Sequence, residues 1–201
     1  MPRPTKRSLW TPLTAASVLA AGLALPAPAA AETVQTAPTA PSAQARTKTA
    51  LFNMYCYWSG EATLGKVPGV VKTRIGELSG EVVEVEYDPA RTDVGKLASA
   101  LKSQGGFYAF LADGPIAKAE AKRYLPDSEI KDVERRPRFL QSKYNLHASH
   151  PDLAALDLTE QQAMALNSWS YFGGPMPDVL TAEQKERLGK IRERLAAKGN
   201  R

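Results

Sequence analysis

The chain has 201 residues, with one cysteine, two histidines and a formal net charge of +5, and 43% of its residues are hydrophobic. A single cysteine excludes an intramolecular disulfide and a zinc site built from several cysteines. Beyond the N-terminus no apolar run reaches the roughly 18 residues that a membrane-spanning helix needs, so none is expected further along the chain.

The N-terminus is typical of a secretory signal peptide. Three basic residues precede an alanine-rich apolar stretch from Leu13 to Leu25, and Ala29-Ala30-Ala31 supplies the small residues of a cleavage site. We expect residues 1–31 to be removed on export, which places the mature protein in the periplasm without stable insertion in the membrane.

Removal of this leader changes what the net charge indicates. The leader carries three basic and no acidic residues, so the mature chain has 23 basic and 21 acidic residues and a net charge of +2. Such a balance produces no large positive field for phosphate groups, and we expect no nucleic-acid partner. Residues 32–47 contain no large apolar residue, which predicts a disordered linker.

Predicted strands and helices alternate through residues 48–112. Residues 49–56 are apolar and aromatic and predict a strand, residues 60–66 predict a short helix, and residues 70–77 predict a second strand. From Glu81 to Tyr87 apolar and polar residues alternate with period two, which is the pattern of a half-buried strand.

A capped helix and a fourth strand complete this region. Thr92 or Asp93 is a suitable N-cap for a helix with an apolar stripe that ends before Gly105-Gly106. Residues 107–111 predict the last strand. The resulting order, βαββαβ, predicts an α+β fold with a ferredoxin-like core over residues 48–112.

Residues 113–201 are predicted to form a helical C-terminal extension. Thr159 with Gln162, and Thr181 with Gln184, have the spacing of capping boxes. The last helix carries an apolar stripe flanked by charged side chains, a pattern that favours packing on the core over binding a partner.

Cys56 lies where the first predicted strand gives way to the first helix. The N–H groups at a helix N-terminus favour a thiolate at this position. Tyr57 and Trp58 follow directly, and aromatic faces beside a sulfur suit an apolar, sulfur-bearing guest such as a methyl thioether. In an exported protein an unpaired thiol indicates that the thiol is used, so Cys56 is the leading candidate for chemistry.

The segment Cys56-Tyr57-Trp58-Ser59-Gly60-Glu61 resembles the Gly-Cys-Phe-Trp-x-x-Glu signature of the A-type peptide methionine sulfoxide reductases. The resemblance continues through Leu64–Val70 and Glu81–Pro89 and covers about residues 50–105. It implies an exported, thiol-dependent oxidoreductase of the peptide-methionine (S)-S-oxide reductase type, acting on methionine sulfoxide in proteins or peptides.

The resemblance also implies a role for each site residue. Cys56 matches the nucleophile that attacks the sulfoxide sulfur, and Glu81 matches the acid that protonates the sulfoxide oxygen. Tyr57 and Trp58 match the aromatic pair that holds the substrate's methyl group. A neutral carboxylic acid suits the proton-donor role because the oxygen is a poor leaving group until it is protonated.

No cofactor is implied by this resemblance. The chain has no second cysteine, so the sulfenic acid formed on Cys56 requires an external thiol, such as a thioredoxin-like protein, to reduce it. The expected partners are therefore methionine sulfoxide in proteins or peptides and a thiol reductant.

A periplasmic copper-binding module is an open alternative. Val67–Val70 and Val83–Pro89 also resemble heavy-metal-associated domains, which share the βαββαβ order. Those domains carry two cysteines before the first helix, whereas this chain offers Cys56 and, at most, Met54. An H-x-x-H pair at residues 147–150 is weak evidence for a ligand set, and we assign no metal ligands.

A non-catalytic interaction domain on a reductase scaffold is the third interpretation. The chain passes directly from Gly80 to Glu81, where the reductase family has a longer loop, and Tyr55 replaces the glycine before the nucleophile. Retention of Cys56, Trp58 and Glu81 together favours the catalytic interpretation.

Overall fold

A computed structural model describes residues 47–199. The predicted signal peptide, and the predicted linker apart from Thr47, lie outside the described residues. Within residues 47–199 no helix combines the length and the apolar character required to cross a membrane.

The described part of the chain alternates between strands and helices and then becomes mainly helical. Its elements, in chain order, are β1 (Lys48–Met54), α1 (Tyr57–Leu64), β2 (Val70–Glu77), β3 (Glu81–Tyr87), α2 (Val94–Ser103), β4 (Phe107–Ala112), α3 (Pro115–Ala121), a 3-10 turn (Asp127–Glu129), β5 (Ile130–Asp132), β6 (Arg138–Phe139), α4 (Tyr144–Ser149), α5 (Pro151–Ala154), α6 (Glu160–Phe172) and α7 (Ala182–Gly199). The βαββαβ order predicted for residues 48–112 is therefore confirmed.

Most predicted boundaries within residues 48–112 agree with the structure. β2 and β3 span the predicted residues. Asp93 is the N-cap of α2, and its carboxylate accepts the Lys96 N–H at 2.9 Å. The exceptions lie around Cys56: β1 ends at Met54 rather than at residue 56, and α1 spans Tyr57–Leu64 rather than residues 60–66, with Cys56 as its N-cap.

The strands of the described residues form one mixed sheet in the order β5-β4-β1-β3-β2-β6. The β4–β5 pair is parallel and the other pairs are antiparallel. Glu81, the first residue of β3, lies opposite Met54 on β1 and Glu77 on β2. The end of β1 that leads into Cys56 therefore lies beside the start of β3.

The main hydrophobic core lies between the sheet and helices α1, α2 and α6. Phe52, Val83, Leu97 and Leu101 have no exposed surface in this core, and Met164 of α6 is 2% exposed. Burial of such side chains stabilises the fold by about 1.5–3 kcal/mol each. The core fixes α1 on the sheet and with it the position of Cys56.

Two smaller clusters complete the packing. Leucines from α4, α5, α6 and α7 form one of them, and these helices thereby share a core of their own. The second cluster lies on the other face of the sheet, where Val82 and Leu111 pack with the partly buried Val133. Both faces of the sheet are thus partly covered.

The prediction of a purely helical extension is wrong for residues 130–139. Ile130 on β5 pairs with Phe110 on β4, and Phe139 on β6 pairs with Gly76 on β2, so the extension adds a strand at each edge of the sheet. A Cβ at Gly76 would lie 3.0 Å from the Arg138 carbonyl oxygen, which explains why a glycine occupies this point of close approach. Strands of two or three residues are too short to show a period in the sequence.

Candidate active site

Cys56 connects the end of β1 to the first turn of α1 and is partly exposed. The Tyr55 N–H donates to the carbonyl oxygen of Gly106, the residue directly before β4, at 2.8 Å, and this bond fixes the direction of the chain as it enters Cys56. The Ser59 hydroxyl donates to the Cys56 carbonyl oxygen at 2.8 Å. Cys56 is therefore a partly exposed residue at the N-terminus of α1.

Glu81 caps the helix that follows Cys56. Its Oε2 accepts the Tyr57 N–H at 2.7 Å, which gives the first N–H of α1 a partner 24 residues further along the chain. Four covalent bonds separate the Tyr57 nitrogen from the Cys56 Sγ, so the sulfur lies within roughly 7 Å of that carboxylate oxygen. The two residues expected to carry the chemistry are therefore brought together.

The charges around the first turn of α1 act on Tyr57. Burial raises the pKa of the Tyr57 hydroxyl, the charges of Glu81, Glu77 and Cys56 raise it further, and Arg138 opposes them. The Tyr57 hydroxyl is therefore protonated, and able to donate a hydrogen bond, at neutral pH.

Glu81 is partly exposed, at the start of β3. The side-chain contact that the structure gives its carboxylate is the hydrogen bond from the Tyr57 N–H to Oε2. In the acid role that the resemblance implies, this carboxyl group has to carry a proton.

Trp58 is held between two tyrosines. Its ring lies in a T-shaped contact with Tyr57, at 5.5 Å between centroids, and is stacked on Tyr144 at 4.1 Å with an interplanar angle of 10°. The Asn145 amide donates to the Trp58 carbonyl oxygen at 3.3 Å. Tyr57, Trp58 and Tyr144 therefore form an aromatic wall that extends from the first turn of α1 to α4.

Tyr144 is a site residue that the sequence did not reveal. It lies in α4, within the extension, far along the chain from Trp58. Nothing in its neighbours, Lys143 and Asn145, marks it as an aromatic contact of the first helix, and only the packing of α4 brings it there. Lys143 was missed for the same reason, and Glu61, which belongs to the segment that resembles the reductase signature, was given no partner.

The residues considered for a metal site do not gather around the thiol. Met54 is 2% exposed and faces the main core, in contact distance of Gly60 and Gly106. The His150 ring packs on Trp169, with 4.5 Å between centroids. Within residues 47–199 no group of three His, Cys, Asp or Glu side chains has the geometry of a metal site.

A cleft of about 570 Å³ opens on the face of the sheet opposite α1. Asn53, Ser79, Lys131 and Arg135 contribute to its lining, and Cys56 does not. By its volume this cleft is a candidate binding site. Cys56 and Glu81, the candidates for chemistry, lie at the other face of the sheet, and their chemistry is the stronger indication of function.

Comparison with known proteins finds no protein-family model that matches the chain and no curated protein that matches it.

Proposed function

We propose that the protein is a thiol-dependent oxidoreductase that resembles the A-type peptide methionine sulfoxide reductases. The observation that carries the proposal is the convergence of Cys56, Glu81 and Tyr57 at the first turn of α1, where Glu81 Oε2 is 2.7 Å from the Tyr57 nitrogen. A nucleophile, a carboxyl group and a hydroxyl donor at one helix N-terminus are the groups that sulfoxide reduction needs.

The reaction proposed for this site has two halves. The Cys56 thiolate attacks the sulfoxide sulfur while Glu81 supplies a proton to the oxygen. Migration of the resulting hydroxyl to the Cys56 sulfur breaks the new sulfur–sulfur bond and the substrate's sulfur–oxygen bond, and leaves a thioether and a Cys56 sulfenic acid. The substrate gains two electrons and the cysteine loses two. One external thiol then forms a mixed disulfide and releases water, and a second thiol restores Cys56 and leaves as a disulfide.

The proposed fold is a ferredoxin-like core with added edge strands. The order β4-β1-β3-β2 within the sheet, with α1 and α2 on one face, supports this proposal. The strands β5 and β6 then extend that core at its two edges.

We further propose that the protein acts in the periplasm, with methionine sulfoxide in proteins or peptides as substrate and a thioredoxin-like protein as reductant. The leader sequence of residues 1–31 supports export. A protein purified from the periplasmic fraction is expected to begin after Ala31, and Edman sequencing measures this directly; retention of residues 1–31 would contradict it.

The catalytic proposal is tested with a peptide that contains methionine sulfoxide and with dithiothreitol as reductant. The purified protein is expected to form the methionine peptide, and Cys56→Ser is expected to abolish turnover, because a hydroxyl is a far weaker nucleophile than a thiolate. Mass spectrometry of the peptide and trapping of the sulfenic acid measure the two halves separately.

Absence of reduction by the wild-type protein, or equal reduction by Cys56→Ser, would contradict the catalytic proposal. The control is Ser59→Ala, which keeps the thiol and removes a neighbouring hydroxyl that bonds only to the Cys56 carbonyl oxygen. This variant is expected to retain sulfenic acid formation.

A further inference from the structure

A buried ion pair lies beneath the aromatic wall. The Glu61 side chain, in α1, has no exposed surface, and the Lys143 side chain, just before α4, is 7% exposed. Lys143 Nζ lies 3.2 Å from Glu61 Oε1 and 2.8 Å from Glu160 Oε1 of α6. Lys143 thus ties α1, α4 and α6 together through the buried carboxylate of Glu61 and the partly exposed carboxylate of Glu160.

The ammonium group and the backbone N–H of Lys143 both donate hydrogen bonds within the protein. Besides the two carboxylates, Lys143 Nζ donates to the Thr73 carbonyl oxygen at 2.9 Å, and the Lys143 N–H donates to Glu61 Oε2 at 2.7 Å. Thr73 also donates from its hydroxyl to Glu61 Oε1 at 3.3 Å. Buried charges need this degree of compensation, and the contacts define a single position for Lys143.

The backbone of Lys143 is held in an unusual conformation. Its φ of 61° and ψ of 38° lie in the left-handed region, which side-chain-bearing residues seldom adopt. Such a conformation persists only where the surroundings enforce it. Here Glu61 enforces it, because one carboxylate accepts both the backbone N–H and the ammonium group of the same residue.

The two residues after Lys143 both contact Trp58. Tyr144 stacks on its ring, and Asn145 donates to its carbonyl oxygen. Because the direction of the chain at Lys143 decides where these residues lie, the ion pair determines whether the third member of the aromatic wall is in place.

We propose that Lys143 is a positioning residue of the candidate active site: its ion pair with Glu61 turns the chain so that Tyr144 lies on Trp58 and completes the surface that receives the substrate's methyl group. The kinetic part of this inference rests on the proposed function. The structural part, that Lys143 places Tyr144 on Trp58, stands without it.

The structural part is tested by fluorescence. The chain that begins after Ala31 has two tryptophans, Trp58 and Trp169, so in a background with Trp169→Phe the emission reports Trp58 alone. Lys143→Met is expected to shift that emission to longer wavelength by the same amount as Tyr144→Leu, because both expose the covered face of the ring. The control, Lys122→Met, breaks an exposed pair with Asp127 and is expected to leave the emission unchanged.

The kinetic part is tested with the sulfoxide peptide. Lys143→Met and Tyr144→Leu are expected to raise KM by roughly five- to tenfold, the effect of losing one aromatic contact, with kcat within about twofold since Cys56 and Glu81 are unchanged. A protein without sulfoxide reductase activity would contradict the proposed function, while the fluorescence result would still decide the positioning role.

A folded Lys143→Met protein with unchanged Trp58 emission would overturn the proposal. If this variant fails to fold because Glu61 is left unpaired, the double variant Glu61→Leu/Lys143→Met replaces it, since apolar substitution of both partners removes the buried charge. Retention of the Trp58 emission in the folded double variant would also overturn the proposal. Failure of both variants to fold would assign the pair to the folding of the chain alone and overturn the positioning role.

Discussion

At the scale of single residues, Glu81 caps α1 and is also the proposed proton donor, and one substitution can separate these two roles. Its carboxylate caps α1 through the Tyr57 N–H, and the proposed reaction requires it to donate a proton. Glu81→Gln keeps an oxygen that accepts the N–H but cannot act as an acid, so kcat is expected to fall by about 100-fold or more with little change in thermal stability. Steady-state kinetics and a melting curve measure the two effects.

The matched variant is Glu81→Ala, which removes the acid and the cap together. It is expected to lose a similar factor in kcat and, in addition, about 1 kcal/mol of stability, the usual contribution of an N-terminal cap. Full activity in Glu81→Gln would show that the residue only caps the helix.

At the scale of elements, the ion pair between Asp152 of α5 and Arg192 of α7, at 2.7 Å, makes the packing of these helices depend on pH. Burial alone would raise the pKa of Asp152, but the Arg192 guanidinium and backbone N–H donors outweigh it and lower that pKa. Because the pKa of Asp152 is lower in the folded protein than the value of about 3.9 in the unfolded chain, its ionised carboxylate stabilises the fold above about pH 3.9. This stabilisation is lost as the pH falls through the pKa of the folded state.

Asp152→Asn is therefore expected to reduce the free energy of unfolding at pH 7 by up to about 1 kcal/mol, with the difference from wild type disappearing in acid. Urea unfolding over a pH series measures it. Glu186→Gln is the control, because it breaks an exposed pair with Lys190 within the same helix, α7. An equal loss at every pH in Asp152→Asn would contradict the assignment to this carboxylate.

At the scale of the whole molecule, Tyr87 joins parts of the chain that are distant in sequence. Its ring is 1% exposed in the main core, and its hydroxyl donates to Glu120 of α3 at 3.3 Å. Lys48 at the start of β1 also contacts Glu120, at 2.8 Å. Burial raises the pKa of Tyr87 strongly, and the charge and hydrogen bond of Glu120 raise it further.

This raised pKa predicts a loss of stability in alkali. The stabilisation that neutral Tyr87 provides is present below about pH 10, the pKa of tyrosine in the unfolded chain. It is lost as the pH rises toward the pKa of the folded state, because the buried ring then has to ionise. Tyr87→Phe is expected to flatten the fall in stability above about pH 10, measured by denaturant unfolding. Tyr108→Phe, an exposed tyrosine of β4, is the control, and an identical alkaline slope in Tyr87→Phe and wild type would contradict the prediction.

Local pattern was sufficient to predict much of the fold. The alternation from Glu81 to Tyr87 predicted β3, and Asp93 predicted the start of α2. Thr159 and Thr181 each exchange hydrogen bonds with the glutamine three residues later, as their capping boxes predicted. These features depend on side chains that are close in sequence, so they can be predicted without the tertiary structure.

The sequence by itself determined that Cys56 is the candidate nucleophile, since it is the single cysteine of the chain, and it determined the βαββαβ order that places this residue between a strand and a helix. The tertiary structure alone decided that Glu81 caps α1 and that Lys143 meets Glu61, contacts that join residues 24 and 82 positions apart. The physical reason is that such contacts form only when the sheet register and helix packing bring distant segments together, and no local period or propensity encodes them.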